Sequence, residues 1–247
     1  MNNLRRAKDI LIYFSQQDLD NESRDFLRYH YQRYEFLLRK IDKAIEKLSL
    51  SSSQRSLKIL DIGPGFQTEI LRHTLPNTVV NTLGFLDLRF NPRTQDKHFQ
   101  FDLNKAQFPD MWLKLEQHDL VIIAEVIEHL YTSPVLVLQC VATWMVSGGY
   151  LILQTPNACA LHKRLKMLAG KNPYDLIRVT PDNPGHFREY TLSELVTFTD
   201  QAGLRLVEWA TWNYFDNGSS VHKIYNAISR VMPANLRQGI TMTLQKI

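Results

Sequence analysis

The run Leu120–Ala124 constrains the fold more than any other part of this sequence. It is apolar throughout and contains β-branched residues, which is typical of a central strand buried on both faces of a parallel sheet. Six further short apolar runs are strand candidates: Leu57–Ile62, Val79–Leu86, Phe99–Phe101, Tyr150–Gln154, Leu204–Trp209 and Ile240–Leu244. Helical segments between them indicate crossovers that cover both faces of the sheet. The sequence therefore predicts an α/β fold with a doubly wound, seven-stranded, mostly parallel sheet.

Residues 1–55 have a helical period instead. Apolar side chains recur at three- and four-residue steps from Leu27 to Leu48, and the opposite face carries a row of charges from Arg33 to Glu46. We predict a helical N-terminal arm over residues 1–55 that helps to close the functional site. A short linker at Ser51–Gln54 joins it to the main domain, residues 56–247.

Two later helices carry start and stop signals. Ser133-Pro134 is predicted to open one helix, whose apolar body runs to Met145 and is ended by Gly148-Gly149. The second runs from Thr191 to Ala202. Its first turn has a capping box formed by Thr191 and Glu194, and Gly203 ends it.

Composition narrows the class of protein only mildly. The 247 residues carry a formal net charge of +4, which permits an anionic partner but is far from the charge of a protein built to neutralise phosphates. The two cysteines, Cys140 and Cys159, have no metal-binding spacing and cannot form a disulfide framework. We find no signal-peptide core and no apolar stretch of about 20 residues, so a cytoplasmic location is expected.

A glycine turn at Gly63-Pro64-Gly65 follows the first predicted strand. Such a turn lets the backbone approach a ligand closely. A dinucleotide site would require glycine or alanine at the last position of its fingerprint, where this chain has Thr68. The carboxylate of Asp61, two residues before the first glycine, suits a cationic ligand better than a pyrophosphate.

Two more acids follow predicted strands, where ligands bind in open α/β sheets. Asp87 stands in the position of a ribose-hydroxyl acceptor, and Asp102 could accept from an adenine amino group. S-adenosylmethionine carries a sulfonium, an ammonium and no phosphate, so it fits a site with three carboxylates. The predicted cofactor-binding residues are Asp61, Gly63, Pro64, Gly65, Asp87, Leu88, Asp102, Leu103 and Ala124.

Several segments, in their order along the chain, resemble the class I S-adenosylmethionine-dependent methyltransferases. They are Asp61–Gly65, Phe101–Asn104, Asp119–Leu130, Gly148–Ile152 and Thr155–Asn157. The resemblance covers about residues 57–247 and implies a Rossmann-like methyltransferase fold. That family usually has a third glycine where Gln67 stands, so the turn is bulkier here. The later segments, with Gly185–Thr191, are similar to bacterial enzymes that methylate sugars, glycans or lipid-linked intermediates, and to ubiquinone-biosynthesis O-methyltransferases.

The reacting end of the site is predicted after the fourth strand. A hydroxyl acceptor must lose its proton, either to a base or with the help of a metal that lowers its pKa. The catalytic candidates are Glu128, His129 and His186. If the chain turns helical directly after the strand, Glu125, Glu128 and His129 share one face and could hold Mg²⁺ or Mn²⁺ with His186. The resemblance implies the same metal positions, while a metal-free histidine base and purely structural glutamates remain the alternatives.

Residues 157–190 are too long for a plain connection and are predicted to form a lid. The lid contains a basic stretch: His162, Lys163, Arg164, Lys166 and Lys171. This stretch is either a solvated helix face or a contact for an anionic acceptor, such as a uronic acid or a diphosphate-linked sugar.

The function predicted from these features is methyl transfer to a hydroxyl of a small molecule, a sugar, or a glycan or lipid-linked intermediate. An RNA 2′-O-methyltransferase is an alternative, because the small-RNA terminal enzymes share the Glu-x-x-Glu-His pattern. The chain shows no attached RNA-binding domain and no basic surface interleaved with aromatic residues, which argues against nucleic acid. A cofactor-binding protein without catalysis is the third possibility, left open by Gln67.

Overall fold

The computed structural model describes residues 4–51, 56–90, 92–180, 184–215, 227 and 231–247. Within these residues, seven strands form one sheet: β1 (Lys58–Ile62), β2 (Val79–Gly84), β3 (His98–Gln100), β4 (His118–Ala124), β5 (Met145–Pro156), β6 (Leu204–Trp212) and β7 (Gly239–Lys246). Their order across the sheet is β3-β2-β1-β4-β5-β7-β6. The first five strands are parallel, whereas β7 runs antiparallel to both β5 and β6. The predicted mostly parallel sheet is confirmed.

Helices cover both faces of this sheet. In the described part of the chain they are α1 (Ala7–Ser15), α2 (Asn21–Ser51), α3 (Phe66–Thr74), α4 (Pro134–Thr143), α5 (Leu161–Leu168) and α6 (Leu192–Gln201). Alternate residues of β4 face opposite layers, because side chains alternate along a strand. Val121 and Ile123 pack with residues of α4 and α6, and Leu120 and Ile122 pack with residues of α1, α2 and α3. No described helix has the length and apolar character needed to span a bilayer.

The predicted helical N-terminal arm is confirmed, and it consists of two helices, α1 and α2. The chain leaves the helical path between α1 and α2, and the Asp20 carboxylate accepts a hydrogen bond of 2.6 Å from the Ser23 amide at the start of α2. Phe14 of α1 and Tyr34 of α2 are buried against residues of the central strands. The arm thus supplies one layer of the core. The linker prediction lies partly outside the described residues, since Ser51 ends α2 and residues 52–55 are not described.

The prediction for the end of α4 was wrong. The helix ends at Thr143, and Gly148-Gly149 lies inside β5. His118 of β4 pairs with Met145, but Leu120 pairs with Tyr150, so β5 carries a bulge. Gly148 has a φ of 78° in this bulge, which explains a glycine pair that resembles a helix stop.

The structure supports one of the two capping predictions fully and the other in part. The Ser133 side chain makes no capping hydrogen bond, although Pro134 does occupy the first turn of α4. The capping box of α6 is confirmed, because Thr191 Oγ1 accepts from the Glu194 amide and the Glu194 carboxylate accepts from the Thr191 amide. Gly203 ends that helix with a φ of 74°.

Candidate active site

The glycine turn after β1 is shaped by close contact with the turn after β4. Gly63 has a φ of 79°, and its amide donates to the Leu83 carbonyl at 2.9 Å. A Cβ at Gly63 would lie 2.6 Å from Cγ2 of Val126, so no side chain fits there. A Cβ at Gly65 would meet no atom within 4 Å. Open space therefore remains where α3 begins, as a ligand held by this turn requires.

Asp61 lies fully buried at the end of β1, and its carboxylate is held from both sides. Gln67 Nε2 donates to Oδ1 at 2.9 Å, and Thr68 Oγ1 donates to Oδ2 at 2.5 Å. Burial nevertheless raises the pKa of the Asp61 carboxyl to about 6. The residue that replaces the family's third glycine therefore has a role in this chain: the Gln67 amide fixes the buried acid.

The next two predicted cofactor acids also have protein partners. Arg89 binds Asp87 through both carboxylate oxygens, with its Nε 3.0 Å from Oδ1 and its Nη2 2.7 Å from Oδ2. Asp102 accepts from the Asn104 amide at 2.9 Å and caps a short 3₁₀ turn, Leu103–Gln107. Ligand hydroxyls at Asp87 would share that carboxylate with Arg89.

Among the remaining predicted cofactor residues, Leu103 and Ala124 are buried. Pro64 lies within van der Waals distance of a Cβ built at Gly84, so the turn after β1 reaches the end of β2. The side chain of Leu88 lies outside the described residues.

Glu125 directly follows β4 in a strained conformation. Its φ is 59°, a value that no other non-glycine residue adopts in the described part of the chain. The amide donates to the Gln154 carbonyl at 2.8 Å, which keeps the backbone tied to β5. The side chain is half-buried, with Oε1 buried and without a hydrogen-bond partner. Burial raises the pKa of this carboxyl to about 7.

Glu128 is fully buried in the next turn, a 3₁₀ turn over Ile127–His129. Its Oε2 accepts from Thr155 Oγ1 at 2.9 Å, while Oε1 is buried without a partner. Burial and the nearby charge of Glu125 raise its pKa well above the usual range. The Glu128 carbonyl accepts from the Phe187 amide at 2.8 Å, which connects this turn to the lid segment.

The two predicted catalytic histidines lie against each other. The rings of His129 and His186 are 4.7 Å apart and nearly perpendicular. His129 Nδ1 is 2.9 Å from the Gly185 carbonyl, and His186 Nδ1 is 3.0 Å from Glu189 Oε1. Because both partners can only accept, each Nδ1 carries the proton and each Nε2 keeps a lone pair. Burial lowers the pKa of both rings, to about 4 for His186, so both are neutral at pH 7.

Three of the four predicted metal ligands come together. Ligand atoms of Glu128, His129 and His186 all lie within 4.8 Å of one another, and Glu125 is not in this group. The chain makes only a single 3₁₀ turn after β4, so the helical face expected for Glu125, Glu128 and His129 does not form.

Arg33 begins the charged row predicted on the side of α2 opposite its apolar stripe, yet its side chain lies in the protein interior near the candidate site. It is only 2% exposed. Its Nη1 donates to Gln154 Oε1 at 3.1 Å, and its Nε lies 3.2 Å from His30 Nδ1. Its positive charge opposes the rise in the pKa of Glu125. Leu37, one helical turn later and buried, was the available signal that Arg33 faces inward.

The basic stretch of the lid is divided between two environments. Lys163 is buried, forms an ion pair with Glu189 and donates to the Asn157 carbonyl at 3.2 Å. Burial lowers the pKa of its ammonium to about 8. Arg164, Lys166 and Lys171 are exposed to solvent, and His162 is half-buried. Lys163 alone among these lysines and arginines is directed towards the site.

Aromatic side chains of α2 complete the wall beside Glu125. Tyr29 stacks on Phe215 with ring centroids 5.1 Å apart, and the His30 ring stands edge-on to Phe215 at 5.4 Å. Burial, with a contribution from Glu125, raises the pKa of Tyr29 to about 12. Such flat apolar faces suit a planar ring or the apolar face of a sugar.

The sheet order, the glycine turn and the carboxylates at the strand ends define a class I S-adenosylmethionine-dependent methyltransferase. A family model described as a methyltransferase domain matches residues 11–209, and the chain belongs to that family. The match begins inside α1, so the family domain includes most of the N-terminal arm. Comparison with curated proteins gives no match.

Solved structures with the same fold are similar to most of the chain. A SAM-dependent methyltransferase from Archaeoglobus fulgidus is 17% identical with a TM-score of 0.51, covering 84% of this chain and 94% of its own. An S-adenosylmethionine-dependent methyltransferase from Mesorhizobium loti is 14% identical with a TM-score of 0.52, covering 83% and 99%. A putative sarcosine dimethylglycine methyltransferase from Galdieria sulphuraria is 12% identical with a TM-score of 0.54, covering 85% and 86%. The narrower resemblance to glycan and ubiquinone enzymes stays a prediction.

Proposed function

We propose that this enzyme transfers the methyl group of S-adenosylmethionine to a hydroxyl oxygen of a small molecule, a sugar, or a glycan or lipid-linked intermediate. The observation that carries the proposal is the cluster of Glu128, His129 and His186 after β4. Both histidines are neutral and have a basic Nε2, and the buried Glu128 Oε1 has no protein partner. A hydroxyl needs such a group to remove its proton, whereas an amine that is already neutral does not.

The same cluster fits a divalent metal. Histidines that bind metals commonly donate their other ring N–H to a carboxylate or carbonyl, which is the arrangement of His129 with Gly185 and of His186 with Glu189. Carboxylate and imidazole ligands without a thiolate suit Mg²⁺ or Mn²⁺. When bound, such an ion would lower the pKa of the acceptor hydroxyl. Without it, His129 Nε2 is the base that receives the proton.

The chain's own residues would position the reactants. Asp61 and the open turn at Gly65 bind the cofactor at the end of β1, and methyl transfer then requires the acceptor in line with the sulfonium. Tyr29, which is half-buried and supported by the buried Phe215, would offer a flat surface to the acceptor. Arg33 and Lys163 are the buried cations that would face an anionic group on it.

A labelled-methyl screen tests the proposal. The purified chain is incubated with methyl-labelled S-adenosylmethionine and sugar, uronic acid, quinol, amine and short RNA acceptors, with EDTA or with added Mg²⁺ or Mn²⁺. We expect a methyl ether product, lost in His129→Gln and retained in His98→Gln, a matched change on β3. If activity survives EDTA and still requires His129, then His129 is the base that receives the proton of the acceptor hydroxyl. Transfer to amines alone would contradict the proposal, and transfer to RNA alone would identify the 2′-O-methyltransferase.

A further inference from the structure

The lid segment exposes an unusual number of large apolar side chains. Leu168 is 84% exposed, Leu176 is 89% exposed and Val179 is fully exposed. Isolated exposed apolar residues are normal on a soluble protein, but a dense group of them marks an interaction surface. We call this group, with its neighbouring cations, the lid surface; its apolar members are Leu165, Met167, Leu168, Leu176, Ile177 and Val179.

The charges of the lid surface are mainly positive. Four cations are exposed beside the apolar side chains, at Arg164, Lys166, Lys171 and Arg178. The one acid between positions 161 and 179 is Asp175, whose carboxylate is 3.9 Å from Lys166 Nζ. Apolar residues mixed with lysine and arginine are the composition of segments that lie in the interface of a bilayer with anionic lipids.

The lid surface is attached to the candidate site through the backbone on either side of it. Lys163, on the inner side of α5, is buried against Glu189. The lid backbone is fixed by the Ala158 amide, which donates to the Tyr190 carbonyl at 3.0 Å. His129 binds the Gly185 carbonyl at the other end of the segment. The apolar side chains of the lid surface are therefore exposed to solvent next to the candidate site, and Arg178, one of its cations, also lies close to that site, with its Nε 4.0 Å from a Cβ built at Gly185.

We propose that the lid surface binds the headgroup region of an anionic lipid bilayer. Leucine, isoleucine and valine side chains would enter the boundary between headgroups and acyl chains, and the four cations would face the lipid phosphates. A second copy of this chain is the poorer partner, because a two-fold interface would place the cations of one copy opposite those of the other. The proposal concerns the surface alone and does not depend on which acceptor is methylated.

Vesicle sedimentation tests this binding. The full chain is mixed with vesicles of phosphatidylglycerol and phosphatidylcholine, and with phosphatidylcholine vesicles alone. We expect binding to the anionic vesicles only, weakening as salt is raised. Leu168→Asp combined with Ile177→Asp should weaken it at least tenfold, and Ile12→Asp combined with Phe108→Asp, at exposed positions elsewhere, should not. Arg164→Gln with Lys171→Gln should weaken it, whereas Arg28→Gln with Arg39→Gln on α2 should not.

Other results would overturn the proposal. These are equal binding to neutral vesicles, no binding by the unaltered chain, or equal losses in the lid and control variants. A dimer seen by sedimentation velocity and abolished by Leu168→Asp, without vesicle binding, would assign the surface to self-association. Unchanged thermal unfolding of each variant verifies that its fold is intact.

Discussion

The turn after β1 and the turn after β4 follow neighbouring strands, but they differ in how far the protein hydrogen-bonds their carboxylates. Both oxygens of Asp61 accept a hydrogen bond from the chain itself. Glu125 and Glu128 each keep a buried Oε1 without a partner, and Glu125 adds a strained φ of 59°. Buried polar atoms are rarely left unpaired, because the loss of hydration is not recovered. Within the protein, the buried acid on the cofactor side is thus hydrogen-bonded at both oxygens, while each acid on the reacting side keeps one oxygen that can accept from a ligand.

The strongest test of this comparison is Glu128→Gln. The substitution keeps the shape of the side chain but removes an acid that can lose its proton when a cation or an acceptor binds on the reacting side. We expect turnover to fall by about 10²–10⁴, the usual contribution of a group that assists proton removal. Cofactor affinity should stay within about twofold, because Asp61 and the glycine turn are untouched. Steady-state rates and calorimetry with S-adenosylmethionine measure the two effects.

Glu46→Gln, an exposed change on α2, is the matched control and should alter neither rate nor affinity. Equal losses of turnover and cofactor affinity in Glu128→Gln would mean that the two sides of the site are not separable.

The second test breaks the contact between the two turns. Gly63→Ala places a Cβ 2.6 Å from Val126 Cγ2 at a φ of 79°. Both effects oppose folding, and we expect the free energy of unfolding to fall by about 2–3 kcal/mol. Gly65→Ala is the internal control, since its φ is extended and no atom lies within 4 Å of the added Cβ. Urea unfolding compares the variants, and calorimetry shows whether the cofactor uses the space at Gly65.

Equal stability of Gly63→Ala and Gly65→Ala would show that the two turns are not in contact in solution.

The third test uses acid, which should act oppositely on two buried groups, Asp61 after β1 and His30 of α2. Burial raises the pKa of Asp61, so its protonation on acidification favours the folded state. Burial, aided by Arg33, lowers the pKa of His30 to about 2, so His30 stays neutral in the folded protein while the unfolded chain binds a proton below about pH 6.5. The stability due to neutral His30 is therefore present above pH 6.5 and lost as the pH falls.

At pH 5 the loss due to His30 should be about 2 kcal/mol relative to pH 7.5. His30→Gln should be correspondingly less sensitive to acid, as measured by urea unfolding at the two pH values. His98→Gln, at a histidine of β3, serves as the control. An acid response that is unchanged in His30→Gln would contradict the burial of the neutral ring.

The smallest expected effect comes from relieving the strain at Glu125. Glycine adopts a φ of 59° without steric cost, and Glu125→Gly also removes a buried carboxylate. We expect the free energy of unfolding to rise by about 1 kcal/mol while turnover falls. Thermal unfolding and the labelled-methyl assay measure the two changes. A less stable variant would show that Glu125 is stabilised by a contact that outweighs its strain.

The sequence was sufficient for features that depend on local pattern. The strand β4 was predicted from its apolar, β-branched run, and the capping box of α6 from Thr191 and Glu194. The bulge of β5 was missed because Gly148-Gly149 serves equally well as a helix stop, and only pairing with β4 decides between them. The 3₁₀ turn after β4 was missed for a similar reason, since the same residues would fit an α-helix.

Side chains that act across long distances in sequence were harder to predict. Gln67 was taken as a bulky substitute for glycine, because its bond to the buried Asp61 depends on how α3 leaves the turn. Arg33 was assigned to solvent because charged residues are usually exposed. Its partner Gln154 is 121 residues away, and no periodicity within α2 reveals that pairing. The clustering of Glu128, His129 and His186 was predicted from their chemistry, while the separation of Glu125 from them depends on the backbone geometry after β4.

The hydrogen bond between Arg33 and Gln154 also has a consequence for the order in which the chain folds during synthesis. Gln154 in turn donates to Thr241 Oγ1 at 2.9 Å, so one polar chain joins α2, β5 and β7. Contacts of such long sequence separation form late, since much of the chain must be ordered before they are gained. A nascent chain emerging from the ribosome could assemble its glycine turn long before β7 is synthesised. The polar chain through Arg33, Gln154 and Thr241 would then be completed only after β7 has paired with β5.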